Sequence, residues 1–307
     1  MGSSTRPRDR EMDNLVADLC NGEVPLFITG AGLSAASGIA PYRGTSTAVW
    51  TNFVMSWGTR SKFKKNPTLW YNKFWLRTHQ KPEYFKAQPN AGHYAIAAIS
   101  QMCNAKTALC PHKLIEVHGR LGMYKCYAYD ESIDDIDLED YAKEGTCMDA
   151  GNLMLTEAPI CPSCDEAVLP QALLFDEQYG SHQFYQWDRV DEWFHDSDVL
   201  IFVGTSFSVG VTEKALAIAQ EFGKKVYSFN LYAERREDYP WIQHILGPSE
   251  KTLPTLAHRM QHYHARPRLW FYSNPSSPAT YHSDSDPEAE AEEVVVVASD
   301  RTTSYRC

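Results

Sequence analysis

The sequence predicts an α/β protein, a doubly wound parallel sheet of the Rossmann-like, dinucleotide-binding kind, with a small zinc-ribbon-like module inserted into it. Three observations predict this. Apolar runs at 24–29, 198–203 and 225–230 alternate with helical segments, as do strands buried between two helical layers. The first run ends in Gly30-Ala31-Gly32, and a helix start is read at Ser34. Strand, glycine turn and helix open a dinucleotide-binding unit. Finally, Cys161 and Cys164 form a Cys-x-x-Cys pair that suggests metal or redox chemistry and closes an excursion from the sheet pattern.

The elements follow in chain order. Residues 11–20 read as a first helix with Leu15, Val16 and Leu19 on one face, ended by Asn21-Gly22. Residues 50–87, rich in Trp, Phe, Tyr and Lys, read as helices, with Asn66-Pro67 marking an N-terminus. Residues 90–102 read as a further helix. The acidic stretch 130–140 reads as a solvated loop inside a module of about 121–170. A short strand is expected at 172–175 and a helix at 184–194. The clearest strand, 198–203, is bounded by Gly204-Thr205-Ser206. A helix at 211–222 ends at Gly223, before the strand 225–230.

These readings divide the chain into a flexible N-terminus (1–12), a catalytic domain (13–265) and an acidic tail (266–307). The tail is rich in Ser, Pro and Glu, a composition that does not bury a core, and disorder is expected there. Within it, residues 294–297 are four valines, read as an apolar patch or as a strand for a partner's sheet edge.

The formal net charge is −10. From 273 onward, seven acids against two arginines leave −5 for the tail and −5 for the rest. Neither part has the basic surface that binding a phosphate backbone needs, so direct nucleic-acid binding is not expected. No run of about 18 apolar residues is present, and the polar first residues do not form a secretory signal. Together with a Cys-x-x-Cys pair rather than a disulfide framework, this implies an intracellular protein with no membrane partner.

The glycines at 30 and 32 leave room for backbone N–H groups to approach a pyrophosphate, whose charge the next helix start favours. A glycine turn after a strand also serves purely structural ends, so the context decides. The full run 30–44 reads Gly30, Ala31, Gly32, then Ser34, Ser37, Gly38, Ile39, Pro41, Tyr42, Arg43 and Gly44. It closely resembles the signature of the sirtuin family. Other segments agree in order: Pro89-Asn90-Ala91-Gly92-His93, then Glu116-Val117-His118-Gly119, then Gly204-Thr205-Ser206 with Val209, then Asn230 closing a strand. The resemblance spans roughly 15–256.

The resemblance implies an NAD-dependent protein-lysine deacylase acting on an acyl-lysine protein or peptide and releasing nicotinamide and an O-acyl-ADP-ribose. It implies His118 as general base, a task suited to an imidazole titrating near neutrality. A lone His is otherwise a satisfied structural residue, and His93, His112 and His182 are read that way. Cofactor contacts are implied for Gly30, Ala31, Gly32, Ser34, Tyr42, Arg43, Gly204, Thr205, Ser206 and Asn230. A zinc ion is implied at Cys126, Cys161 and Cys164, with Tyr129 where the partner of Cys126 is expected and Cys147 at the wrong spacing for a knuckle.

The pattern breaks at one place. The family carries a strand and a Gln-Asn-x-Asp loop between the helix at 90–102 and the His118 segment. This chain has no Gln-Asn-x-Asp run anywhere. Removal of a central strand leaves unpaired backbone groups and a cavity, so either the sheet closes up or residues 106–110 fill the gap. The nicotinamide side of the pocket is expected to be incomplete. The alternative readings are therefore a catalytically inactive NAD or ADP-ribose-binding module, or a product of altered splicing. Phe175-Asp176-Glu177 replaces the family's Phe-Gly-Glu, and Phe74 with Arg77 has the spacing of an aromatic-x-x-Arg acyl-reading pair, from which no acyl preference is inferred.

Overall fold

The computed structural model describes residues 7–39, 48–103, 114–126, 128, 130–134, 136–233, 237–263 and 294–297. Helix α1 (Pro7–Cys20) buries Met12, Leu15, Val16 and Leu19. Strand β1 (Pro25–Thr29) is buried at all five positions. It leads into a 3-10 turn, Ala31–Ser37, not the α-helix expected from Ser34, and Gly38 ends that turn in the left-handed region with φ 87°. Helices α2 (Ala48–Trp57), α3 (Arg60–Lys65) and α4 (Pro67–Trp70) follow, then a π turn (Tyr71–Trp75), α5 (Leu76–Thr78), α6 (Pro82–Lys86) and α7 (Ala91–Cys103). Asn66 caps α4 by accepting the Leu69 N–H at 2.9 Å, and Pro67 occupies the first helical position, as the Asn-Pro pair implies.

The chain continues through β2 (Leu114–Ile115), β3 (Gly119–Lys125), β4 (Ser132–Ile133) and β5 (Leu169–Ala172), then α8 (Trp187–Asp196), β6 (Val199–Val203), α9 (Gly210–Phe222), β7 (Lys225–Asn230), β8 (Gln243–Leu246), α10 (Ser249–Gln261) and β9 (Val294–Val297). The expected strand at 172–175 lies three residues earlier, as β5. The sequence reading missed β8 and α10. β8 is short and carries polar residues, and α10 contains Pro254, a helix-breaking signal.

The main sheet has the order β2-β9-β1-β6-β7-β8, and every pairing in it is parallel. Its two faces are visible in the alternation of side chains. Leu26, Ile28, Leu200, Phe202 and Val226 join Val190 and Phe194 of α8 and Val211, Ala215 and Leu216 of α9 in one core. Phe27, Val199, Ile201, Val203, Tyr227 and Phe229 join residues of α1, α7 and α10 in the other. Burying a residue of Leu, Ile or Phe size stabilises by roughly 1.5–3 kcal/mol, so both helical layers are tightly held.

The second sheet, β4-β3-β5, is antiparallel and lies in the predicted inserted module. The module shares its core with the helical segment before it. Trp70, Tyr71, Phe74 and Trp75 pack with Tyr124, Leu138, Val168 and Leu169. This places Phe74 inside a core, 2% exposed, so it does not line an open groove.

One element corrects the sequence reading. Residues 294–297 form neither a loose apolar patch nor a strand for a partner. Strand β9 lies inside this chain's own sheet, pairing Leu26 with Val294 through Thr29 with Val297 on one side and Leu114 with Val295 on the other. It occupies the slot between β1 and β2. The sheet therefore does not simply close up. β-branched valines suit a strand flanked on both sides, because their χ1 restriction costs little on a pleated surface. Residues 106–110, the other candidate for that slot, lie outside the described residues.

Candidate active site

The described members of the predicted cofactor set, Gly30 to Gly32, Ser34, Gly204 to Ser206 and Asn230, lie at or just past the carboxyl ends of β1, β6 and β7, the edge where parallel sheets present their ligand sites. Gly30 follows β1, Gly204 follows β6, and Asn230 ends β7. Gly30 N–H donates to Val203 O at 2.8 Å, Gly32 N–H to Gly204 O at 2.9 Å, and Gly204 N–H to Phe229 O at 2.9 Å. Asn230 Nδ2 donates to Thr205 O at 2.7 Å, and Asn230 Oδ1 accepts the Leu231 N–H at 3.0 Å. Three strand ends are thus laced together by backbone groups of Gly30, Gly32 and Gly204 and by the side chain of Asn230.

The glycine requirement has a more specific cause than access for a phosphate. A Cβ on Gly30 would lie 2.6 Å from Gly204 O, and one on Gly32 2.7 Å from the same atom. A Cβ on Gly204, at φ 60°, would lie 2.5 Å from Leu33 N. The two turns interlock backbone against backbone, and no larger residue fits at any of the three positions.

Ser34 is buried, its Oγ 3.5 Å from His93 Nε2. Asn90 Nδ2 donates to Leu33 O at 2.8 Å and to Ser37 Oγ at 3.0 Å, while its Oδ1 accepts the Gly92 N–H. His93 Nδ1 accepts the Asn90 N–H at 3.1 Å, and burial pulls its pKa below the ordinary imidazole value. The start of α7 therefore braces the 3-10 turn. Asn90 was not among the residues singled out as site-forming, although its place in the Pro89–His93 match was a usable signal. Thr205 Oγ1 accepts the Phe207 N–H at 3.2 Å, and Ser206 Oγ lies 2.7 Å from Ser208 Oγ. Tyr42 and Arg43 lie outside the described residues.

His118 sits just past β2. Its carbonyl accepts the Leu173 N–H at 2.9 Å, and its Nε2 lies 3.1 Å from Tyr179 Oη. Gly119, at φ 94°, crosses β5 so closely that a Cβ would meet Gln171 O at 1.8 Å. Glu116 is nearly buried and accepts from Arg120 Nε at 2.6 Å. Burial raises its carboxyl pKa, and the Arg120 guanidinium partly opposes this. Behind His118, Lys125 Nζ is buried and donates to Glu177 Oε2 at 2.6 Å, Ala172 O at 2.9 Å and Tyr185 Oη at 3.0 Å. Burial lowers the Lys125 pKa, with Glu177 opposing. Glu177 Oε2 also accepts the Leu174 N–H at 3.0 Å, so this ion pair pins the segment carrying Phe175. Asp176 accepts N–H groups of Arg60 and Ser61, tying the same segment to the start of α3.

The sulfurs of Cys126, Cys161 and Cys164 lie within 4.8 Å of one another, and those of Cys126 and Cys164 are 3.5 Å apart. Zinc–thiolate bonds of about 2.3 Å place tetrahedral sulfurs slightly under 4 Å apart, so the three thiols fit three corners of a zinc site. Cys147 is not among them; its backbone N–H donates to Asn152 Oδ1 at 3.0 Å.

The Sir2 family's sequence profile matches residues 30–211. The NAD-dependent deacetylase sir2E of Dictyostelium discoideum is 45% identical over 269 residues, which cover 82% of this chain and 78% of that protein. An NAD-dependent protein deacylase of Pyrococcus abyssi is 25% identical over 79% of this chain and 95% of its own length. Among solved structures, a Sir2 homologue in complex with NAD superposes with a TM-score of 0.61 at 19% identity, covering 82% of this chain and 94% of that one. Sir2Af2 bound to a myristoylated histone peptide superposes with a TM-score of 0.54 at 21% identity, covering 84% and 99%.

Proposed function

The chain belongs to the Sir2 family, and from that premise we propose that it is an NAD-dependent protein-lysine deacylase. The observation that carries this reading is the interlocking of the Gly30–Gly32 and Gly204–Ser206 turns with Asn230 at the carboxyl edge of the sheet. When bound, NAD would supply the acceptor for the acyl group, so that acyl-lysine, NAD and one water would give free lysine, nicotinamide and an O-acyl-ADP-ribose.

In this reading Gly30, Ala31, Gly32 and Ser34 face the cofactor's phosphates from the β1 side. Gly204, Thr205, Ser206 and Asn230 hold its adenosine side. Tyr42 and Arg43 complete the cofactor contacts by family resemblance. His118 is the general base, taking a proton from a ribose hydroxyl. Cys126, Cys161 and Cys164 hold a structural zinc that clamps the end of β3 to the 161–164 knuckle, with no part in the chemistry. The substrate is an acylated lysine of a protein or peptide, in keeping with the acylated histone peptide bound by Sir2Af2. Among the described residues no helix is long and apolar enough to cross a membrane. The proposed division keeps a catalytic domain at 13–265, a module at about 121–170 and a tail at 266–307, with two amendments: helix α1 starts at Pro7 and buries Met12, so 1–12 is not a flexible N-terminus throughout, and residues 294–297 belong to the main sheet.

A second reading is favoured by one specific observation. β9 fills the slot beside β1, and the chain carries no Gln-Asn-x-Asp run to complete the nicotinamide side. On that reading the protein binds NAD or ADP-ribose without turnover. Incubation with an acetyl-lysine peptide, with and without NAD, separates the two. NAD-dependent release of free lysine and nicotinamide supports the first reading. Thermal stabilisation by NAD or ADP-ribose with no product establishes the second.

A further inference from the structure

Tyr179 makes a contact that the family pattern did not lead one to expect. Its phenol oxygen lies 3.1 Å from His118 Nε2 and accepts the backbone N–H of Val211 at 3.2 Å. Val211 is the second residue of α9, the helix that follows the Gly204–Ser206 turn. The ring has little freedom. It stacks on Trp187 with centroids 4.5 Å apart and an interplanar angle of 16°. Gly210 lies against its edge, where a Cβ would come within 3.2 Å of Tyr179 Cε2. The bland account is a phenol that has merely found partners. It leaves unexplained why one oxygen joins the candidate base to the start of the helix behind the candidate cofactor turn.

We propose that Tyr179 is a positioning residue for His118, fixing the orientation and tautomer of its ring and registering it against α9. The inference rests on the reading of His118 as the general base. The proton accounting supports it. Val211 N–H has only a proton to give, so the phenol oxygen must accept from it. Of these two partners, only Nε2 can accept the phenol's own proton. In the proposed arrangement the phenol donates to Nε2, and the neutral ring then carries its hydrogen on Nδ1. Rotation of the hydroxyl about Cζ–Oη frees the Nε2 lone pair. Once Nε2 gains a proton, the same oxygen accepts from it through its remaining lone pair. One phenol thus serves both protonation states of His118 without any movement of the ring. The helix N-terminus behind it polarises the hydroxyl and strengthens its donation.

The test uses the full chain without cofactor, labelled with 15N-histidine, and needs no turnover. In the wild type the neutral His118 ring should show 15N shifts of a single dominant tautomer protonated at Nδ1. Tyr179→Phe, which keeps the stacked ring and removes one oxygen, should convert this to a mixture of tautomers. With NAD and acyl peptide, the same variant should lose roughly tenfold or more in kcat, with KM for NAD within about twofold and an altered pH–rate profile. Unchanged His118 signals in a folded Tyr179→Phe protein overturn the proposal, whatever the activity. His118→Ala tests the underlying reading separately. Retained deacylation in that variant, alongside a shifted His118 tautomer in Tyr179→Phe, removes the base assignment and leaves the positioning contact standing.

Discussion

Gly30 and Gly204 meet backbone to backbone at the point where two strands end. A Cβ on Gly30 would stand 2.6 Å from Gly204 O, closer than any real carbon approaches, and 2.8 Å from Thr205 Cα. Neither atom belongs to a flexible side chain that could move aside. The contact also locks β1 to β6, because Gly30 N–H donates to Val203 O.

Gly30→Ala should therefore push the two turns apart. Overpacking a tight site of this kind costs about 1–3 kcal/mol, which for a domain of this size lowers the thermal midpoint by several degrees. Differential scanning calorimetry with and without NAD checks it. The expected outcome is a lower midpoint together with loss of the stabilisation by NAD. A wild-type response in both would show that the turns tolerate separation.

Strand β9 is the least conventional part of the fold, and its contribution is measurable. Val295 aligns with Phe27 on one side and Leu114 on the other. Proline there removes a ladder N–H, which an interior strand does not accommodate. Val295→Pro, and truncation after residue 263, should both lower the urea midpoint. An unchanged midpoint in the truncated protein would mean that β9 adds nothing to the sheet.

Two histidines, His182 buried and His93 half-buried, set an acid limb on stability. Burial lowers the pKa of His93 and, against the opposing charge of Asp130, that of His182. Below the unfolded value of about 6.5, the unfolded chain binds protons that these two folded rings still refuse. Their contribution is complete above that pH and is lost as pH falls through the folded values. The urea midpoint should fall between pH 7.5 and 5.5, and the double variant His93→Gln, His182→Gln should flatten that slope. A slope equal to wild type would assign the acid sensitivity to other groups.

For the cysteine cluster, the expected stoichiometry is one zinc per chain by elemental analysis. Cys161→Ser should abolish binding and lower the thermal midpoint, and a chelator should do the same to the wild type. Cys147→Ser should leave both unchanged, since Cys147 stands apart from the other three sulfurs.

The parallel sheet, its strands at 25–29, 199–203 and 225–230, the two glycine turns and the residues of the cysteine cluster were all legible in the sequence. They rest on buried apolar runs, turn residues at fixed offsets and the Cys161-x-x-Cys164 spacing, while Cys126 joined the set through the family resemblance. What the sequence could not show depends on residues far apart in the chain. Nothing near Gly30 says that Gly204 O lies under it. Nothing near Tyr179 marks it as a partner of His118, 61 positions away. Four valines near the C-terminus carry strand propensity, but only the slot between β1 and β2 decides that they form an interior strand. Propensity and motif are properties of a short window, whereas backbone interlocking, shared protons and strand order are set when distant segments compete for the same space.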